Sequence, residues 1–167
     1  MQFEHYIFLV DYSYSMCSHI PKIVTVINMF LDELKKSGKT NILFSLASFS
    51  YRMRWIVNTI NIQSVQNINN DDFKDPGSTS LYDSVCSVLL EFGCDPNFKN
   101  TFYIITDGDD NNSFKFTREN TDELCDKAMK SNWTIKHFDT LSYQTLSVPT
   151  VKFDIDDMSN LFNNMKC

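Results

Sequence analysis

The segment Asp11-Tyr12-Ser13-Tyr14-Ser15 follows directly on the apolar run Phe8-Leu9-Val10. If the chain stays extended as it leaves a strand, a side-chain period of two aims residues 11, 13 and 15 the same way. One carboxylate and two hydroxyls then face a common point. These are hard oxygen donors, of the kind that Mg2+ or Mn2+ accepts. Two later segments add to them: Thr79 in Pro76-Gly77-Ser78-Thr79-Ser80-Leu81, and Asp107 after Ile104-Ile105-Thr106. Each has a plainer reading. Asp and Ser bond their own backbone in ordinary turns, Thr79 and Ser80 suit a helix cap, and Asp107-Gly108 suits the close of a strand. What singles them out is their conjunction, in order, at the ends of successive elements.

The elements that must position them read as strands alternating with helices. Phe3 to Val10 is nearly continuous in apolar residues, as a central parallel strand is. A helix follows from Pro21, with Ile20, Ile23, Val24, Ile27, Phe30, Leu31 and Leu34 at helical spacing, lysines 35 and 36 in the last turn and Gly38 at the stop. Residues 41–49 form a second strand and 52–62 a third, and the short link between them favours an antiparallel hairpin. A polar stretch with turn signals at Asp75, Pro76 and Gly77 leads to a helix carrying Leu81, Val85, Val88, Leu89 and Phe92 on one face, with Gly93 at its end. Ser80 and Asp83 have the spacing of a capping box at its start. Residues 101–106 are the fourth strand, 117–130 a helix, 133–140 the fifth strand and 149–155 the sixth. A short helix with Met158, Leu161, Phe162 and Met165 ends the chain. Such alternation implies one α/β domain over residues 1–167, a doubly wound, Rossmann-like, mostly parallel sheet with helices on both faces. In such folds ligands sit at the carboxyl ends of the strands, where Asp11 and Asp107 stand.

The segments DYSYSM, GSTSLYDSV and YIITDGDD resemble the three loops of the von Willebrand factor type A domain, whose metal-ion-dependent adhesion site (MIDAS) has the pattern D-x-S-x-S, then T, then D. The stretch NMFL in the first helix and the third loop ending in N-x-S are similar to small freestanding bacterial and viral members. The resemblance implies a six-stranded sheet of order 3-2-1-4-5-6 with the third strand antiparallel, in keeping with the tight hairpin. It implies Ser13 and Ser15 as direct metal ligands, Thr79 as a ligand that is direct or bridged by water, and Asp11 and Asp107 as acids holding the cation through water and by charge. It departs at Tyr14, where the family usually keeps Gly, and the last strand and helix match weakly.

Composition narrows the function. A net charge of -6 argues against a general nucleic-acid or anionic-membrane surface. The first ten residues hold an acid and no basic residue ahead of the apolar run, unlike a secretory signal, and no apolar stretch approaches the ~20 residues of a membrane span. The five cysteines show no CxxC spacing and read as reduced thiols, so we expect a cytoplasmic protein, or for a viral source one of the host cytoplasm or virion. The sequons at Asn111 and Asn132 read as chance in an Asn-rich chain.

Binding is the expected activity. Three hydroxyls and distant acids leave some of the six positions of Mg2+ to water, and neutral hydroxyls as direct ligands leave its charge poorly cancelled. An Asp or Glu carboxylate from a partner protein would satisfy both, and the resemblance implies that mode of docking. Tyr12, Tyr14 and Met16 would ring the site as contact residues, or else pack the loop. The chain is expected to be a monomer on its own. An open Mg2+ could also serve a phosphohydrolase, with His19 as the one candidate acid or base beside the first loop, or the loops could belong to a scaffold that has lost its metal. Asp109 and Asp110 read as a solvated loop or as a second, weak cation site.

Overall fold

The computed structural model describes residues 2–140, 144–154 and 158–165. Six strands, β1 (Phe3–Asp11), β2 (Ile42–Phe49), β3 (Met53–Asn61), β4 (Phe98–Thr106), β5 (Trp133–Asp139) and β6 (Thr150–Lys152), form one sheet of order β3-β2-β1-β4-β5-β6. Only β3 runs antiparallel, paired to β2 from Phe49↔Met53 to Leu43↔Asn61. The four α-helices are α1 (Ile20–Lys36), α2 (Leu81–Phe92), α3 (Arg118–Met129) and α4 (Met158–Met165). This is the α/β, Rossmann-like arrangement expected, with helices on both faces. Ile155, placed in the sixth strand by its sequence, lies outside the described residues.

The alternation of side chains along β1 builds two cores. Phe8 and Val10 face α1 and α4, packing with Ile23, Ile27, Phe30 and Leu161. Ile7 and Leu9 face α2 and α3, packing with Leu81, Val85, Val88 and Cys125. Burial on both faces makes β1 an apolar run instead of an alternating one, and fixes its height in the sheet. Gly38 and Gly93 follow α1 and α2 at φ of 68° and 57°, the left-handed region that a Cβ disfavours.

β1 and β4 are neighbours in parallel, with Val10 opposite Ile105. Asp11 and Thr106 are therefore adjacent at the same carboxyl edge, and Asp107 is the next residue out. The point where the chain departs to opposite sides of β1 lies here, where an open α/β sheet leaves a crevice.

Candidate metal centre

Asp11 is the last residue of β1 and is fully buried. Its Oδ1 accepts the Ser13 backbone N–H at 2.7 Å, and its Oδ2 accepts the Thr106 hydroxyl at 2.7 Å. Burial pushes the carboxyl up to about 6, the bonds from Thr106 and Ser13 pull it back down, and the charge of Asp107 adds to the rise. The loop thus keeps an acid where ionisation is costly unless a cation stands near.

The first loop is shaped differently from the extended segment expected. Ser13 is extended, at φ -66° and ψ 165°, but a 3-10 turn begins at Tyr14 and runs to His19. The Met16 N–H donates to Ser13 O at 3.0 Å, and the Tyr14 N–H donates to Gly77 O at 3.1 Å. The turn, and not a period of two, sets Ser15 Oγ 3.2 Å from Ser13 Oγ. Ser15 then donates to Asp107 Oδ1 at 3.0 Å, joining the first loop to the third.

Thr79 arrives from the second loop. Its hydroxyl oxygen and Asp11 Oδ2 would lie 3.9 and 4.0 Å from a Cβ on Gly108, so both face the same glycine. Ser13 and Thr79 are nearly buried and Asp107 is half-buried, while Ser15 is exposed. The five residues named from the sequence therefore come together at one edge of the sheet. They offer two carboxylates and three hydroxyls, a donor set that suits a hard cation and not a soft one. Among the described residues no group of three or more His, Cys, Asp and Glu stands ready for a metal.

Two expectations about the rim and caps are corrected. Met16 is fully buried among Phe8, Val10 and the apolar face of α1, because the 3-10 turn points it inward, so it cannot be a contact residue. Tyr12 is half-buried, its ring 5.7 Å from that of Phe73, whereas Tyr14 is 74% exposed. Ser80 and Asp83 do not form a capping box. Ser80 donates its hydroxyl to Tyr51 O, and the Asp83 carboxylate accepts the backbone N–H groups of Phe114, Lys115 and Phe116 at 3.1, 3.0 and 2.9 Å.

Residues read otherwise from the sequence hold the second and third loops together. Thr79 N–H donates to Asn111 Oδ1 at 2.8 Å, and the Asn111 and Asn112 N–H groups both return to Thr79 O. Asp110 is half-buried, and its carboxylate accepts from the Tyr82 N–H at the start of α2 and from the Ser113 hydroxyl. A carboxylate at that end of a helix also meets the favourable pole of its dipole. The one cue to Thr106 was a hydroxyl closing the run Phe102 to Ile105. His19, the base considered for a hydrolase, occupies the N-cap position of α1 without bonding through its side chain there.

No protein-family description and no curated protein matches this sequence. Solved structures do match it. The pilus adhesin SpaC from Lactobacillus rhamnosus GG, in its open conformation, superposes with a TM-score of 0.68 at 14% identity, covering 99% of this chain and 30% of that one. Proximal thread matrix protein 1 from the mussel byssus, with a zinc-occupied MIDAS motif, gives 0.65 at 16% identity over 98% of this chain and 44% of that one. A von Willebrand factor type A structure from Catenulispora acidiphila gives 0.60 at 13% identity over 98% and 42%. This chain thus spans less than half the length of each of these three. No helix among the described residues is long and apolar enough to cross a membrane. The shared strand order, the lone antiparallel β3 and these superpositions lead to one conclusion: the chain has the von Willebrand factor type A fold.

Proposed function

We propose that the chain is a divalent-cation-dependent protein-binding module. Asp11, Ser13, Ser15, Thr79 and Asp107 would hold Mg2+ or Mn2+, and an Asp or Glu of a partner protein would complete its coordination. The observation that carries this reading is the Ser15–Asp107 contact at 3.0 Å beside Ser13 Oγ at 3.2 Å, oxygens from two loops drawn to one point next to a buried acid. The zinc-occupied MIDAS of the mussel protein supports it, as does the pilus adhesin among the structures of the same fold. The cation would supply positive charge where Asp11 is costly to ionise, and an open position for a carboxylate. The chain's own part is to fix the oxygens and to leave Tyr14 exposed beside them.

Two of the three histidines are ill placed for acid–base work at the centre. His5 bonds Ser45 Oγ at 2.8 Å near the opposite end of β1, roughly 20 Å from Asp11 at the rise of a strand. His137 is fully buried within β5.

Calorimetric titration of Mn2+ into wild type and Asp11→Ala tests the site. Heat from wild type alone is expected, and equal heats, or none from wild type, would overturn it. Capture of a partner with and without chelator tests the mode. Loss on chelation supports a cation-bridged contact, and indifference to chelator refutes it.

A further inference from the structure

Tyr14, Tyr51 and Phe114 are the large exposed side chains of the loops around the candidate centre, at 74%, 42% and 79%. Apolar groups left in water beside one another mark a contact surface more often than chance. They are also linked. Tyr14 N–H bonds Gly77 O, and the Tyr51 ring lies over Gly77 so closely that a Cβ there would stand 2.8 Å from Tyr51 Cδ1.

Beyond Tyr51 opens a cleft of about 270 Å3. The β2–β3 turn contributes Tyr51 and Arg52, the third loop contributes Phe114 and Lys115, and the first turns of α2 contribute Ser84 and Ser87. Its serine hydroxyls are already engaged: Ser84 Oγ donates to Ser80 O and Ser87 Oγ to Asp83 O, each at 2.7 Å. The Asp83 carboxylate is taken up by the third loop's backbone. The groups left for a ligand are two cations and two rings. Arg52 stands over Tyr51 at 5.2 Å and Lys115 over Phe114 at 5.7 Å, so each cation is held at the cleft by its own aromatic neighbour. The Arg52–Asp75 ion pair, at 3.3 Å between exposed side chains, is weak enough to yield to a better partner.

We propose that this cleft is a second anchor for the same partner: it receives an acidic side chain a few residues from the one at the metal, held between Arg52 and Lys115. This rests on the reading of the centre as cation-dependent. Charge complementarity selects an acidic occupant, since in a chain of net charge -6 these two cations line one cleft that Ser80, next to Thr79, also lines. An extended segment crossing from the metal over Gly77 and Tyr51 would bring its next side chains there.

The test uses an array of twelve-residue peptides with one fixed aspartate and each other position varied in turn. Wild type and the double variant Arg52→Glu, Lys115→Glu are applied in Mg2+ and in chelator, and Mn2+ binding to each protein is measured separately by calorimetry. Both positions are exposed, so the variant is expected to fold and to bind Mn2+ as wild type does. In Mg2+, wild type is expected to favour Asp or Glu over Ala at one offset by about tenfold. The variant is expected to lose that preference and to favour Lys or Arg at the same offset. Capture with no acidic preference at any offset, the same preference in the variant, or no capture while Mn2+ binds, would each overturn the proposal. Absence of Mn2+ heat in wild type is instead the failure of the metal reading. The cleft then stands only if charge reversal still inverts acid selection in chelator, and falls if it does not.

Discussion

Ser15 Oγ meets Asp107 Oδ1 at 3.0 Å across 92 residues of chain. The contact closes the candidate centre from the side where it is most open to water. It depends on Asp11 and Thr106, the two strand ends beneath it. Thr106→Val keeps the shape but removes the hydroxyl that bonds Asp11 Oδ2 at 2.7 Å. Partners of that kind tune ligands from behind, and their loss costs about 10–100-fold in metal affinity. Calorimetry with Mn2+ is expected to show a drop in that range with an unchanged fold by circular dichroism. Wild-type affinity in the variant would remove Thr106 from the centre.

Asp83 anchors three consecutive N–H groups of the third loop. Asp83→Ala strands those donors, at a cost of about 2 kcal/mol. Urea unfolding is expected to give a lower midpoint with the same slope. Amide exchange should rise at Phe114–Phe116 and not in β4. An unchanged midpoint would show that the loop keeps its shape without the carboxylate.

Met16 and Tyr14 should separate stability from binding. Met16→Ala opens a hole in a packed core and is expected to cost about 2–4 kcal/mol. Tyr14→Ala, at a 74% exposed position, is expected to cost less than about 0.5 kcal/mol yet weaken capture of a partner. Thermal melts and partner capture on the same two proteins check both statements. The reverse pattern would put Met16 back on the rim.

Burial holds the imidazoles of His5 and His137 down at about 4. In the unfolded chain they take up protons near pH 6.5, so below that pH the unfolded state binds more protons. Their contribution to stability is whole above about 6.5 and is lost as pH falls towards 4. At pH 5 each should cost on the order of 2 kcal/mol. Asp11, pushed up to about 6 by burial, works the other way and returns about 1 kcal/mol at the same pH. Urea unfolding at pH 7 and pH 5 is expected to show a net loss of about 3 kcal/mol, smaller in His5→Gln. Equal stabilities at the two pH values would contradict it.

The strands were legible because their burial is written in composition. β1 is apolar on both faces, and the short link before Met53 leaves a hairpin as the simple connection. The full strand order needed the family resemblance as well, since periodicity does not say which strands are neighbours. Asp11 and Asp107 were legible as acids ending apolar runs. The path from Ser13 to Ser15 was not, because the Gly77 carbonyl that receives the Tyr14 N–H is more than sixty residues away in sequence. Met16 looked like rim because a methionine among polar residues carries no sign of which way a 3-10 turn will point it. The roles of Asp83, Asp110 and Asn111 were not legible for the same reason. Their partners are backbone N–H groups some thirty residues distant, which leave no period to read.

The bonds between the second and third loops have a mechanical meaning. Thr79, Asn111, Asn112, Asp110, Ser113 and Asp83 knit Thr79 and the segment after Asp107 to the start of α2, making a single plate. Ser13 and Ser15 belong to a different plate, the turn that leads into α1. The candidate centre lies on the seam. Two stitches cross that seam, the Tyr14 N–H bond to Gly77 O and the Ser15 bond to Asp107 Oδ1, so the spacing of the candidate ligands depends on how the plates are joined as much as on either plate alone.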